Sequence, residues 1–219
     1  MYSAVVRLRF RLRLSLVASL LPAALFSQFS LLLLLSLFAP LPSDAAHSVF
    51  KISDSNSRVE FITLRGGQVA TKGSFTRLHG TVNYDPHDLT KSSVDVNIPI
   101  SSLDTKIGVR DSELLGVKYF DGKAFPEASF RSVGLTKGAT STFVLEGVLS
   151  LHGAKKLIKI KMDNAPKLAT KNGHTLFTAE GFTSIDQNDF GLSLLKLHPD
   201  GYMRINDLVG IKITLQAGN

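Results

Sequence analysis

From about residue 49 to the C-terminus, the chain alternates hydrophobic and polar residues with a period of two. In 158–162 two isoleucines and a methionine alternate with lysines, and in 209–215 aliphatic residues take every second position. Such alternation is typical of β-strands with one face buried and the other in water. The pattern predicts strands at about 49–53, 58–65, 67–84, 93–101, 127–136, 141–151, 156–163, 174–187 and 203–217.

Several of these strands are separated by residue pairs that favour tight turns. The pairs are Asp85-Pro86, Lys137-Gly138, Asn172-Gly173 and Asp200-Gly201. Inside the 67–84 strand the hydrophobic positions change from odd to even numbers near Gly73. A change of phase beside a glycine predicts a β-bulge or a bend at that point.

A single helix is predicted, from Lys106 to Leu115, with Asp104 or Thr105 as its N-cap and a shorter turn after it at 117–121. Eight or nine antiparallel strands in an open sheet would leave long unpaired edges, and closure into a barrel removes them. We therefore predict an all-β fold: a closed, lipocalin-like antiparallel barrel of about eight strands, with the short helix capping its mouth.

The first 45 residues have the order of a secretory signal peptide. Four arginines in 7–13 precede an uncharged, leucine-rich stretch at 14–41, and the small residues Ser43 and Ala45 give a cleavage site. We predict a cleaved signal peptide at 1–45, one barrel domain at 46–219, and a periplasmic or secreted protein. The uncharged stretch is longer than the ~7–15 residues usual in a signal peptide, so an uncleaved membrane anchor is the alternative.

Charge and cysteine content narrow the function further. The net charge is +7, but four of the arginines belong to the predicted signal peptide, and what remains has no long run of like charges. This balance argues against nucleic-acid binding. The lysines at 155, 156, 159 and 161 are interpreted as the solvent face of a strand. The absence of cysteine excludes thiol catalysis and cysteine-based metal sites.

Nothing in the sequence marks a catalytic or metal site. Motifs of the G-x-S-x-G, Walker A and G-x-G-x-x-G types are absent. The six histidines show no metal-ligand spacing, although His79 and His152 each precede a glycine and could approach one another in a barrel. We predict no catalytic residue, no metal and no cofactor other than a bound lipid.

Several blocks together carry a family resemblance. They are Ser57-Arg58-Val59-Glu60-Phe61, the run from Gly73 to Asp85, Asp104-Thr105, Arg110-Asp111, Tyr119-Phe120-Asp121, Phe125-Pro126, Gly147 to Gly153 and Asp189-Phe190-Gly191. In order and spacing the chain resembles the YceI-like family of polyisoprenoid-binding, lipocalin-like proteins. The resemblance implies an extended eight-stranded barrel, a helix at its mouth, a periplasmic or secreted location and an interior that holds a long isoprenoid or related lipid. It brings no catalytic residues.

The chain departs from the family pattern at three places. Leu64-Arg65-Gly66-Gly67 stands where many members have a histidine, Ala154 replaces a threonine, and Gln187 replaces an arginine. These departures put the preferred lipid head group in doubt more than the barrel.

The interior of an eight-stranded barrel is wide enough for packed side chains or one slim ligand. Strand parity, together with the ten phenylalanines after the signal peptide, selects candidate residues for the lining of a lipid tunnel. These are Phe61, Phe75, Leu78, Val82, Ile98, Leu114, Phe120, Phe130, Leu149, Leu151 and Phe182. Glycines at 80, 147 and 181 either leave room for the ligand or allow tight barrel curvature.

Arg110 and Asp111 are the candidate head-group contacts. Either the two form a salt bridge that fixes the helix, or Arg110 meets a phosphate or quinone head group. The favoured hypothesis is a non-enzymatic carrier of an isoprenoid or quinone-like lipid, for transport, storage or sequestration. The alternative is an interaction module with a packed barrel that meets a membrane or a redox partner. Transient membrane contact and a homodimer are left open by the sequence, as is an enzyme that acts on a lipid head group.

Overall fold

The structure is a computed structural model and describes residues 48–54, 56–192 and 207–219. The predicted signal peptide and the Asp200-Gly201 turn lie outside these residues. The described part contains twelve strands: β1 (Ser48–Ile52), β2 (Arg58–Arg65), β3 (Gln68–Phe75), β4 (His79–Tyr84), β5 (Ser93–Pro99), β6 (Leu103–Asp104), β7 (Glu127–Lys137), β8 (Phe143–Leu151), β9 (Ala154–Met162), β10 (Lys167–Lys171), β11 (His174–Asp186) and β12 (Leu208–Gly218). One α-helix, α1 (Gly108–Leu114), and three 3-10 turns, Leu89–Lys91, Ile100–Ser102 and Gln187–Phe190, complete it.

The strands close into an antiparallel barrel, which confirms the predicted fold. Eight of them follow one another around the ring in the order β11, β9, β8, β7, β5, β4, β1, β12, and β12 pairs back to β11. The closing pair is long, because β11 and β12 are in register from Leu176 opposite Gly218 to Asp186 opposite Leu208. The seam between β9 and β11 is short, with a single pair, Phe182 opposite Lys161.

Three further strands extend the ring at the end of the barrel that carries α1. There β12 also pairs with β2, β2 pairs with β3, and β3 pairs with the short β6. Both β1 and β2 lie along β12, so they act as one strand with a break between residues 52 and 58. The break is one reason why the number of strand segments exceeds the number of strands in the barrel.

The bend in the predicted 67–84 strand is real, but its predicted position at Gly73 is wrong. β3 continues through Gly73 to Phe75, and the interruption falls at 76–78, where Thr76 donates its backbone N–H and its hydroxyl to the carbonyl oxygen of Ser102. The register shift in this hairpin lies between Thr63 and Leu64 on the partner strand β2.

Two hairpin turns show how sequence fixes the connections. Asn172-Gly173, predicted as a turn, joins β10 and β11 with φ of 52° and 80°, and His152-Gly153 joins β8 and β9 with φ of 49° and 79°. Positive φ at both central residues matches the right-handed twist of the flanking strands. β10 itself was not predicted, because all five of its residues are exposed and carry no buried alternation.

The core lies inside the ring, where alternate residues of each strand point. Aromatic side chains gather at its two ends. Phe50, Tyr84 and Phe177 pack at one end, with ring centroids 5.6 to 6.4 Å apart. The rings of Phe61, Phe75 and Phe120 pack at the end near α1, at 5.7 and 5.9 Å. Among the described residues no helix has the length and hydrophobicity needed to cross a membrane.

Candidate functional site

Two cavities lie inside the barrel. Cavity 1 has a volume of about 140 Å³ and an almost wholly apolar wall, which includes Leu78, Val82, Phe130, Tyr84 and Phe177. The wall is apolar because the inward positions of β4, β5, β7, β8, β9 and β11 are the hydrophobic positions of the alternating pattern.

Cavity 2 has a volume of about 320 Å³ and lies at the end of the barrel that carries α1. Its wall combines apolar residues of β2, β3 and β8 with polar groups from the helix and the strand ends. The polar residues are Thr63, Thr71, Arg110, Glu113, Tyr119 and Gln187. An apolar ligand with a polar end would therefore find a polar environment in cavity 2 and an apolar one in cavity 1.

Four residues belong to the walls of both cavities: Val59, Ile98, Leu149 and Ile211. They lie on β2, β5, β8 and β12, so these four side chains stand between the two cavities, and we call them the waist. A chain-like ligand that occupied both cavities would pass between these four side chains.

A hydrogen-bonded group attaches α1 to the barrel. The carboxylate of Asp111 accepts from the backbone N–H of Thr105, at 2.9 Å, and from its hydroxyl, at 2.5 Å. Arg110 donates from Nε to the same hydroxyl oxygen, at 2.8 Å, and from Nη2 to the Thr105 carbonyl, at 2.9 Å. Thr105 is buried, so it is the point at which the helix is fixed.

This arrangement corrects two predictions. The N-cap of α1 is Ile107, whose side chain makes no capping hydrogen bond, so neither Asp104 nor Thr105 is the cap. Asp104 instead accepts from the backbone N–H and the ammonium group of Lys106. The salt bridge between Arg110 and Asp111, one of the two alternatives for this pair, does not form, because both side chains bind Thr105 instead.

Tyr119 and Glu113 form the outer polar part of the wall of cavity 2. The Tyr119 hydroxyl donates to Oε1 of Glu113 at 3.2 Å. Burial, and then the nearby Glu113 carboxylate, raise the pKa of the Tyr119 phenol. The phenol is therefore uncharged at neutral pH and available as a hydrogen-bonding group.

Ten of the eleven predicted tunnel residues line one or both cavities. Cavity 1 receives Leu78, Val82 and Phe130, cavity 2 receives Phe61, Phe75, Leu114, Phe120 and Leu151, and Ile98 and Leu149 belong to both. Contact of these residues with lipid stays a prediction. Of the two candidate head-group residues, Arg110 lines cavity 2 and Asp111 lines neither cavity.

The prediction that Phe182 lines the tunnel is wrong. Its side chain is 41% exposed and lies on the outside of the barrel, with the Lys212 ammonium 5.9 Å from its ring centroid. The inward residues of β11 are the odd-numbered ones, such as Phe177 and Ile185. The inward positions between them are alanine, glycine and threonine. Because these residues are small or polar, the hydrophobic pattern of β11 did not show which face is buried.

Several wall residues were not predicted from the sequence. Tyr84, Met162 and Phe177 line cavity 1, and Thr63 and Tyr119 line cavity 2. Parity on β9 and β2 would have selected Met162 and Thr63, because each follows inward-facing residues at a spacing of two. Tyr119 gave no such signal, since it lies in the turn after α1.

The three glycines that were considered as space for a ligand are filled by protein. A Cβ at Gly147 would meet the ring of Phe130, and one at Gly181 would stand 2.5 Å from Cγ2 of Ile160. Gly80 has φ of 146°, and a Cβ there would collide with the carbonyl oxygen of Asp95. All three therefore serve close packing of the barrel wall.

The histidines do not form a metal site in the described part of the chain, where no cluster of three or more metal-ligating residues occurs. His79 lies 3.6 Å from the carboxylate of Glu127. His152 packs on the ring of Phe125 and lies 3.0 Å from the carbonyl oxygen of Phe190. The two histidines thus have separate partners.

Lys155, Lys159 and Lys161 lie on the solvent face of β9, as interpreted from the sequence, whereas Lys156 has the inward parity of Ile158 but is still exposed. Lys156 pairs with Asp189 and Lys159 with Glu146, both at 2.8 Å, and Lys161 pairs with Asp163 at 3.0 Å. These acidic partners neutralise much of the positive charge of the strand. The arrangement gives no basic patch of the kind that binds nucleic acid.

Comparisons with known proteins agree with this geometry. Residues 50–217 match the YceI-like domain. A UPF0312 protein of Vibrio cholerae is 25% identical over 173 residues, which are 75% of this chain and 92% of that protein. The crystal structure of Burkholderia cenocepacia BcnA aligns with a TM-score of 0.63 and 21% identity, over 76% of this chain and 99% of BcnA. A domain of Saccharophagus degradans described as polyisoprenoid binding aligns with a TM-score of 0.56 and 16% identity, over 77% and 97% of the two chains.

Proposed function

Since the chain belongs to the YceI-like domain family, we propose that it is a non-enzymatic carrier that holds one long apolar lipid, of the isoprenoid or quinone type, inside its barrel. The observation that carries the proposal is the pair of cavities inside one barrel, separated only by the side chains of Val59, Ile98, Leu149 and Ile211. The polyisoprenoid-binding description of the Saccharophagus degradans domain supports the isoprenoid class.

Burial of the lipid tail would supply the affinity. Each CH₂ group that leaves water contributes about 0.8 kcal/mol, and the wall of cavity 1 offers hardly any polar atom that a tail would have to desolvate. A long tail can therefore bind tightly without specific polar contacts. Reversible burial of this kind suits transport, storage or sequestration.

The site of action is proposed to be the periplasm or the extracellular space. The support is the N-terminal sequence, with its arginines, its uncharged stretch and its small residues before position 46. A carrier in an aqueous compartment between membranes would have a supply of long-chain lipids on either side.

The α1 end of the barrel is proposed to contact the membrane during loading. Val109 and Val117 are 84% and 79% exposed, although valine is usually buried. Both lie close in sequence to residues that line cavity 2. The exposed lysines Lys118 and Lys123 suit anionic lipid head groups, so the partner of this surface would be a lipid bilayer.

The packed-barrel interaction module is the second candidate. It requires a solid interior, whereas the barrel contains cavities of about 140 and 320 Å³. The carrier is therefore favoured.

Native mass spectrometry tests the carrier function. The protein, expressed from its full sequence, exported by a bacterial host and purified without detergent, is expected to carry one added mass in the range of a long-chain lipid. A bare chain that also takes up no polyprenol and no quinone from vesicles would contradict the proposal.

A further inference from the structure

Two threonines lie opposite one another on the wall of cavity 2. Thr63 on β2 pairs with Thr71 on β3, and both line the cavity. Thr63 is 1% exposed, and its hydroxyl has no hydrogen-bond partner among the described residues. Most buried hydroxyl groups in proteins are hydrogen-bonded, so this one requires an explanation.

A buried hydroxyl without a partner is unfavourable, because it has lost its hydrogen bonds to water. The wall around Thr63 offers little to replace them, since Phe61, Phe75 and Val209 are apolar. A threonine can exchange the positions of its hydroxyl and methyl groups by rotation about one bond. The hydroxyl can therefore turn toward a guest in the cavity.

The charges on the wall indicate what kind of guest fits. The lining contains one cation, Arg110, and one anion, Glu113, and Arg110 already donates to Thr105. A buried phosphate would meet no excess of positive charge to offset its loss of hydration. An uncharged oxygen needs only a donor such as a hydroxyl.

We propose that Thr63, with Thr71 opposite it, donates a hydrogen bond to an uncharged carbonyl or hydroxyl oxygen of the bound lipid. That oxygen-bearing end lies in cavity 2, and the tail passes the waist into cavity 1. The inference rests on the proposed carrier function and adds the orientation of the lipid and the class of its head group.

The test compares three probes that share one branched carbon skeleton: phytanol, the hydrocarbon phytane, and phytanyl phosphate. The full-length protein is expected to bind phytanol on the order of fivefold more tightly than phytane, the contribution of one hydrogen bond. Thr63→Val removes the hydroxyl at nearly constant shape and should abolish this preference. Thr71→Val is the second variant and should reduce it, whereas Thr63→Ser should retain it.

Thr214→Val is the matched control. Its hydroxyl is the other one that is buried without a partner in the described part of the chain, but it lines neither cavity. The control should keep the preference for phytanol. The empty Thr63→Val protein should melt no lower than the wild type, because no protein hydrogen bond is lost.

Three results would overturn the inference: an unchanged preference for phytanol in Thr63→Val, tighter binding of phytanyl phosphate than of phytanol, or a clear fall in the melting temperature of empty Thr63→Val. If the wild type bound none of the probes, the carrier function itself would fail, and the inference with it. If the wild type bound phytanol and phytane with equal affinity, the hydrogen bond from Thr63 would be excluded, but the carrier function would still stand.

Discussion

The ring of Phe130 fills the space in which any side chain at Gly147 would have to stand. A Cβ at Gly147 would meet two carbons of that ring and would lie 2.6 Å from the carbonyl oxygen of Arg131. The two residues are diagonal neighbours on the same face of adjacent strands, since β7 and β8 pair Ser132 with Gly147 and Phe130 with Leu149. The absence of a side chain at Gly147 therefore allows the Phe130 ring to pack directly against β8 in the wall of cavity 1.

Gly147→Ala is expected to destabilise the protein by about 1–3 kcal/mol, the usual cost of forcing an extra methyl group into a packed core. The methyl group can be accommodated only if both the Phe130 ring and the strand backbone move. The measurement is the free energy of unfolding in urea.

Gly134→Ala is the control for this substitution. Gly134 also lies on β7, but a Cβ there would meet nothing within 4 Å. Its free energy of unfolding should be unchanged or slightly higher, because alanine restricts the unfolded chain. Equal losses in the two variants would show that Phe130 does not occupy the space described.

Leu149→Trp should block the proposed path of the lipid tail from cavity 2 into cavity 1. Leu149 belongs to both walls, and the adjoining empty space can receive the indole ring without unfolding the barrel. We expect loss of uptake of long-chain lipid while short chains still enter cavity 2. The measurement is lipid uptake from vesicles as a function of chain length.

Val133→Trp provides the comparison for Leu149→Trp, because Val133 is 63% exposed on the outside of the barrel. It should bind lipid like the wild type. Long-chain uptake by a folded Leu149→Trp protein would show that the lipid does not pass the waist.

Asp111→Ala should loosen α1. It removes a carboxylate that accepts two hydrogen bonds from Thr105, and hydrogen bonds to charged groups contribute about 1.5–3 kcal/mol each. Since Asp111 is only half-buried, we expect a loss of about 2 kcal/mol in the free energy of unfolding. Asp111→Asn keeps one acceptor oxygen and should lose less, and equal losses would argue that the charge, not the geometry, attaches the helix.

Tyr119 should make stability depend on alkaline pH. Its pKa in the folded protein is raised above the ordinary value of 10.0 by burial and then by Glu113. Above pH 10.0 the unfolded chain releases this proton more readily than the folded one, so the wild type loses stability as pH rises. Tyr119→Phe should show a smaller loss between neutral pH and pH values above 10.0 in urea titrations, and parallel losses would contradict the raised pKa.

Val109→Asp combined with Val117→Asp should slow the transfer of lipid from anionic vesicles. Both side chains are exposed, so neither change should alter the melting temperature. Val49→Asp, at a position 53% exposed on β1, is the control. Unchanged transfer in the double variant would exclude the α1 end as the membrane contact.

Strand alternation and turn chemistry were enough to predict the barrel, because both are local properties of the chain. β8 alternates buried and half-exposed residues over its whole length, and the Asn172-Gly173 turn needs only its own two residues to adopt positive φ. The break at 76–78 was predicted in the wrong place, at Gly73, because its position depends on the contact between Thr76 and Ser102, which is 26 residues away in sequence.

A cavity residue could be predicted from the sequence only where its position in the strand alternation and its hydrophobicity both indicated the interior of the barrel. Leu149 and Ile98 satisfy both criteria and lie at the waist. Phe182 satisfied hydrophobicity alone, and its outward direction follows from pairing with Lys212 across β11 and β12. The attachment of Arg110 and Asp111 to Thr105 could not be predicted, because their sequence also permits an ion pair.

A crystal structure of the exported protein, purified without detergent, tests the central claim most directly. We predict elongated density inside the barrel that passes between Val59, Ile98, Leu149 and Ile211, with its polar end beside Thr63 in cavity 2. A barrel in which side chains fill the interior from α1 to the Tyr84 end, and in which no space remains at these four residues, would contradict it.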